Sequence, residues 1–194
     1  MTLINYENRE INFKIVYFGP AQVGKSDNLK YVYHRTPPEK RGELVLLSGE
    51  DGRTTFFDFL PLFLGKMGEF TARLHLYTLP GSLRLDTNRR LILKGVDGLV
   101  FVADSRRERL DENLAALDAM RRQLRECGYD FGRLPLVLQY NMRDFDSSLA
   151  PDDLSRILNP EAKPAFPANA RTGHGVLETL KSVSLQVLSK LGEK

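Results

Sequence analysis

The sequence predicts a doubly wound α/β sheet of about six strands, with one antiparallel edge strand and about five helices. Three features point there. A complete phosphate-binding loop stands between an apolar run and a helical stretch. Short apolar runs alternate with amphipathic segments down the chain. Two extended segments are joined too closely to lie parallel.

The first strand is read over Ile11–Phe18, where Ile11, Phe13, Ile15, Val16, Tyr17 and Phe18 make the nearly continuous apolar run of a strand buried on both faces. Gly19–Ser26 follows as G-P-A-Q-V-G-K-S, and Asn28–Tyr33 reads as a helix. In that setting glycines let the backbone approach phosphates, successive N–H groups cradle them at the helix N-terminus, Lys25 supplies a point charge, and Ser26 Oγ is a Mg²⁺ ligand. Gly19, Ala21, Gln22, Val23, Gly24, Lys25, Ser26 and Asp27 are therefore nucleotide-binding candidates. The competing reading is a tight glycine-rich turn, which needs neither the strand before nor the helix after.

Arg53–Leu60 looks extended, Pro61–Glu69 reads as a turn, and Phe70–Thr78 alternates apolar and polar residues, so these two strands form an antiparallel pair. Gly98–Ala103 and Pro135–Tyr140 suit buried parallel strands. Leu110, Leu114, Leu117, Met120, Arg121 and Leu124 mark one helix, and Val176, Leu177, Leu180, Val183, Val187, Leu188 and Leu191 mark the last. A strand is expected near Ala165–Asn169. With no repeat, low-complexity tract or linker, residues 1–194 are expected to form one domain.

The net charge of +3 is spread among Lys and Arg mixed with nearly as many acids, which gives nucleic-acid binding no footing. The one cysteine, Cys127, excludes an intramolecular disulfide and reads as core filler. His34, His75 and His174 lack metal-ligand spacing. No apolar run suits a membrane span, the N-terminus lacks a signal-like core and a Met-Gly acceptor, and the C-terminus lacks a prenylatable cysteine. A cytoplasmic protein without integral membrane segment or lipid anchor is expected.

Ligands of such sheets sit beyond the carboxyl ends of the strands. The segments to inspect are Arg53-Thr54, Thr78-Leu79-Pro80-Gly81-Ser82, Asn141-Met142-Arg143-Asp144 and Ala168-Asn169-Ala170. Their order resembles the Ras-like small GTPases over nearly the whole chain. More narrowly, F-F-D-F-L-P-L at 56–62, L-H-L-Y-T at 74–78, L-I-L-K-G-V-D-G at 91–98 and F-V-A-D-S at 101–105 are similar to the MglA family, bacterial Ras-like switches of gliding motility and cell polarity.

That resemblance implies GTP or GDP with Mg²⁺ as ligands. Asp144 would accept from the N1–H and amino group of guanine, donors adenine lacks. Asn141 would brace the phosphate loop, and the backbone at Ala170, beside Asn169, would meet the guanine O6. Thr54 matches the switch threonine that reaches Mg²⁺ and the γ-phosphate, so Ser26 and Thr54 are the metal candidates. Gly81 matches the glycine that donates its N–H to the same phosphate. Thr78 stands where most Ras-like proteins have Asp, which implies Mg²⁺ contact through water on that side.

Three departures bear on catalysis and affinity. Ser82 replaces the glutamine that orients the attacking water. Ala21 replaces a glycine beside the transferred phosphate, and Met142 replaces the lysine that covers the base. Arg53 matches an arginine supplied in cis, so Arg53 and Ser82 are the catalytic candidates. Two functions remain open: a slow GTP-hydrolysing switch, or a degenerate relative that holds nucleotide permanently as a scaffold. An ATP-dependent phosphate-loop enzyme is disfavoured by Asp144 and by Thr78. The resemblance also implies a small roadblock-fold homodimer as regulator, for which Phe56, Phe57, Phe59 and Leu60 are candidate contacts and Arg84, Arg89 and Arg90 could face an acidic partner; the effector is unknown.

Overall fold

The computed structural model of the chain describes residues 3–48, 54–81 and 86–190. Its strands are β1 Leu3–Asn5, β2 Glu10–Phe18, β3 Val45–Ser48, β4 Thr54–Met67, β5 Phe70–Thr78, β6 Gly98–Asp104, β7 Leu136–Asn141 and β8 Ala165–Pro167. The α-helices are α1 Lys25–Arg35, α2 Asp86–Leu93, α3 Leu110–Glu126, α4 Pro151–Leu158 and α5 Val176–Ser189, with short 3₁₀ turns at Pro38–Lys40 and Arg107–Arg109. The sheet runs β3-β4-β5-β2-β6-β7-β8, with β1 paired to β2. Strands β5, β2, β6, β7 and β8 are mutually parallel, while β3 and β4 are antiparallel to their neighbours.

The eight-stranded sheet exceeds the expected six by β1 and β3. These have three and four residues, too short for a periodic signal, and each exists by pairing with a longer neighbour. The expected turn over Pro61–Glu69 is corrected: β4 continues to Met67, paired with β5 in the register Pro61↔His75 and Met67↔Phe70. Pro61 has no N–H to give, but its carbonyl faces away from β5 and accepts from Gly42 N at 2.9 Å, beyond the end of the β3–β4 ladder, so the missing donor costs no pairing with β5. A register shift between Phe63 and Gly65 then bends the strand.

Alternation along β2 builds two cores. Phe13, Ile15 and Tyr17 point to one face, where Leu60, Leu74, Leu76, Leu29 and Val183 close around them. Val16 and Phe18 point to the other, against Leu99, Phe101, Leu117, Met120, Leu124 and Leu154. The apolar stripe of α3 lies slightly off the expected one: Leu117, Met120 and Leu124 are buried with Asn113 and Ala116, whereas Leu114 is exposed. Leu177 of α5 is likewise exposed, while Val176, Leu180, Val183 and Val187 are buried. Cys127, at the end of α3, packs half-buried against the second core. No described helix is long and apolar enough to cross a membrane.

From β2 the strand order progresses outward in both directions, so the loops after β2 and β6 leave to opposite sides. The crevice opens beyond their carboxyl ends. The phosphate loop, residues 79–81, residues 141–145 and residues 168–171 all leave the sheet at this end.

Candidate functional site

The loop between β2 and α1 is shaped by backbone. Gly24 is the N-cap of α1 with φ 87, and no side chain caps the helix. A Cβ at Gly24 would stand 2.4 Å from Asn141 Nδ2, so only glycine permits both the left-handed conformation and the contact with the neighbouring loop. An uncapped helix N-terminus leaves N–H groups for an anion. Lys25 is only 7% exposed, and its Nζ donates to Gly19 O at 3.0 Å and Pro20 O at 2.5 Å, drawing the side chain back across the loop.

Beneath the loop lies a buried amide network that the sequence reading missed. Asn28 Nδ2 donates to Gly24 O and to Gln139 Oε1, both at 2.9 Å, and Gln139 Nε2 donates to Asn28 Oδ1 and to Thr179 Oγ1 at 3.2 Å. It ties the start of α1 to β7 and α5. The available signal was Gln139, a polar residue inside the apolar run P-L-V-L-Q-Y.

A second missed residue is Asp58, fully buried on β4. Its Oδ2 accepts from Ser26 Oγ at 2.6 Å, Thr78 Oγ1 at 2.7 Å and Thr54 Oγ1 at 3.2 Å. Ser26 Oγ and Thr54 Oγ1 are themselves 3.2 Å apart. Asp58 Oδ1 has no hydrogen-bond partner among the described residues. Two hydroxyls and a buried carboxylate with an unpartnered oxygen form a hard-oxygen donor set that fits Mg²⁺. Thr78 turns its hydroxyl toward Asp58, and an acid within F-F-D-F-L was the available signal.

Asn141 links three segments. Its Nδ2 donates to Val23 O at 2.7 Å, and its Oδ1 accepts from Ala170 N at 2.9 Å. The Ala170 N–H, expected to face a base, is thereby committed to Asn141. Asn169 spends its carboxamide oxygen on Arg171 N at 3.1 Å, within its own turn. Gly81 rests on the phosphate loop so closely that a Cβ there would lie 2.2 Å from Ala21 Cα. Arg53 and Ser82 lie outside the described residues.

These segments enclose a cavity of about 470 Å³. Ala21, Gln22, Val23, Gly24, Lys25, Ser26, Asp27, Thr54 and Gly81 line it, together with Met142, Phe145, Arg106 and Arg171. Met142 is nearly buried with φ 60, supplying apolar surface. Of the expected nucleotide-binding residues, Gly19, Asn141, Asp144, Asn169 and Ala170 are not in its lining; Asp144 is exposed between the lining residues Met142 and Phe145. Neither Arg106 nor Phe145 was expected in the site. Arg106 holds Asp104 through Nε at 3.0 Å and Nη2 at 2.7 Å, hydrogen bonding that raises its pKa further, and lies 4.7 Å over the Phe145 ring. Lys25, Lys30, Arg106 and Arg171 against Asp27 make the lining predominantly cationic, which suits a polyanion. A second cavity, about 430 Å³ between Arg121, Arg125, Tyr129, Asp130, Phe131 and Glu161, opens at the amino ends of the strands, away from these loops.

Of the candidate partner contacts, Phe56 is exposed, Phe57 and Phe59 are half-buried, and Leu60 is in the core and unavailable to a partner. Arg90 pairs with Glu126 at 2.7 Å. Arg84 lies outside the described residues, and the position of the Arg89 side chain is likewise undescribed.

No family model matches the chain. It is 50% identical over 191 residues, 98% of this chain and 98% of the relative, to the mutual gliding-motility protein MglA of Myxococcus xanthus (strain DK1622). With the sheet order, the phosphate loop and this likeness together, the chain belongs to the MglA family and has the Ras-like phosphate-loop GTPase fold.

Proposed function

We propose that this protein is a guanine-nucleotide-dependent switch, in the cytoplasm, that hydrolyses GTP slowly and acts in gliding motility or cell polarity through partner binding. Residues 1–194 would serve as one nucleotide-binding domain. The observation that carries the reading is the hydroxyl–carboxylate cluster: Thr54, at the start of β4, shares Asp58 with Ser26 of the phosphate loop. One site thereby couples the phosphate loop to the segment whose position would report the state of the nucleotide.

On this reading the cradle from Ala21 to Asp27 takes the phosphates, Lys25 supplies the charge nearest them, and Gly81 brings its backbone against Ala21. Ser26 and Thr54 would hold Mg²⁺, with Asp58 behind them; bound there, the ion would neutralise phosphate charge. Met142, Phe145 and Arg171 would flank the base, and Asp144, on the same loop, would select guanine. Loss of the terminal phosphate would remove the contacts that hold Thr54 and Gly81, changing the surface offered to a partner. The resemblance to the family makes a roadblock-fold homodimer the regulator to expect, with the exposed Phe56 on β4 as a candidate contact.

The second reading, a permanent nucleotide holder, is favoured by Ala21 at the closest approach to Gly81 and by serine at position 82. Arg53 could offset both if it swings to the phosphates when a partner engages. The two readings separate on single-turnover GTP hydrolysis, measured with and without a roadblock-type partner. The switch reading expects slow but measurable turnover, and Ser82→Gln with Ala21→Gly together should raise it by at least about tenfold, roughly 1.4 kcal/mol of barrier. Either change alone should do less, since water placement and space are needed together. Parent and double variant both inert in both conditions would favour the scaffold.

A further inference from the structure

Arg109 lies on the 3₁₀ turn between β6 and α3, remote in sequence from the phosphate loop, and yet its Nη2 donates to Ala21 O at 2.9 Å. Two acids face the guanidinium from other sides. Its Nε approaches Asp104 Oδ2 at 3.4 Å as an ion pair without a hydrogen bond, and its Nη1 pairs with Glu112. Asp104 is fully buried at the end of β6, and its backbone is clamped by Asn113, whose Oδ1 accepts from Asp104 N at 2.9 Å and whose Nδ2 donates to Asp104 O at 2.8 Å. Arg106 occupies the same carboxylate. Arg109 therefore reaches the loop from a base anchored in both sheet and helix.

The next residue in the loop gives that contact its meaning. Gln22 has φ 60, a left-handed conformation that a residue with a side chain keeps only when its surroundings impose it. In a trans peptide the C=O and the following N–H point in opposite directions. Arg109 is not among the residues that line the cavity, so a carbonyl turned to it is turned from the cavity, and the N–H on the opposite side of that peptide is turned toward the space Gln22 lines.

We infer that Arg109 is a positioning residue for the phosphate loop: by holding the Ala21 carbonyl it orients the Ala21–Gln22 peptide so that the Gln22 N–H is presented to a bound phosphate. The inference rests on the nucleotide reading above and adds to it a residue that touches no ligand. It also gives a role to the two acids, Asp104 and Glu112, that face this guanidinium. Without Arg109 the peptide is free to turn, and the loop loses one aligned donor.

The test is the release rate of a fluorescent methylanthraniloyl-GDP from full-length protein, displaced by excess unlabelled GDP. Arg109→Ala should release it about tenfold faster, with association changed by less than about threefold, because the loss is of a bound-state contact. Arg109→Lys keeps the charge but not the fork that spans Ala21 O, Asp104 and Glu112, so its release rate should fall between wild type and Arg109→Ala. In a Gln22→Gly background, where the left-handed conformation carries no side-chain strain for Arg109 to offset, Arg109→Ala should cost about threefold or less. A purely structural role would give the same loss in both backgrounds. Equal release from wild type and Arg109→Ala, or an undiminished effect in the Gln22→Gly background, overturns the inference. If Arg109→Ala does not fold, Arg109→Gln takes its place under the same criteria. Wild-type protein that binds no guanine nucleotide would defeat the nucleotide reading itself; binding with unchanged release in the variant defeats only the role of Arg109.

Discussion

Lys25→Ala should lower guanine-nucleotide affinity by at least about 100-fold, or roughly 2.7 kcal/mol. Among the cavity's cations, Lys25 is the one inside the phosphate loop, nearly buried and pinned over the loop by Gly19 O and Pro20 O. The alternatives cannot replace it. Lys30 has a side chain 47% exposed and sits 3.6 Å from Asp27, Arg106 is committed to Asp104, and Arg171 is exposed at the rim. A charge enclosed by protein acts on phosphate with less screening than one at the rim. The substitution also leaves two loop carbonyls without that donor, so the loop loses order along with charge. Titration with a fluorescent guanine nucleotide measures the effect, and affinity within about threefold of wild type would remove Lys25 from the site.

Asp58→Asn should separate two properties that usually fall together. The buried carboxylate has an oxygen with no hydrogen-bond partner among the described residues, an arrangement that costs stability. The isosteric amide removes the charge while keeping a polar group for Ser26, Thr54 and Thr78, so the urea-unfolding midpoint should hold or rise. Mg²⁺ dependence should move the other way. If Asp58 supports the ion behind Ser26 and Thr54, Mg²⁺ should tighten GTP binding by about 30-fold or more in wild type and by about threefold or less in the variant. Equal Mg²⁺ dependence in both proteins would place the ion's support elsewhere.

The phosphate loop was legible in the sequence because its residues are contiguous and its flanks carry the strand and helix that give the motif its meaning. The loop that carries Asn141 was legible from its place after a buried strand, and the bracing role of Asn141 from the resemblance to the family. Asp58 was not, although it lies within the run F-F-D-F-L, because Ser26 and Thr78 reach it only when β4 pairs with β5 beside the start of α1. Linear spacing gives no measure of that distance. The amide network of Asn28, Gln139 and Thr179 escaped for the same reason, since its members meet only across α1, β7 and α5.

Pro61 misled in a different way. Proline is a strong turn signal on local grounds, but a strand tolerates it wherever no ladder partner needs its N–H, and only the end of the β3 ladder reveals that Pro61 is such a place. The short strands β1 and β3 are likewise products of pairing more than of local preference. Arg106 and Phe145 entered the site unforeseen because an arginine one turn beyond a strand reads as solvated until a buried acid, here Asp104, draws it inward.

A guanine nucleotide in the cavity, chosen by Asp144 on the loop that also carries Met142 and Phe145, is the core of the proposed function. Purifying the protein under native conditions, denaturing it and separating the released material by chromatography against nucleotide standards, with Asp144→Ala treated in parallel, tests it. Wild type should release GDP or GTP, and Asp144→Ala a sharply reduced amount. Release of ADP or ATP, or the same yield of guanine nucleotide from both proteins, would contradict it.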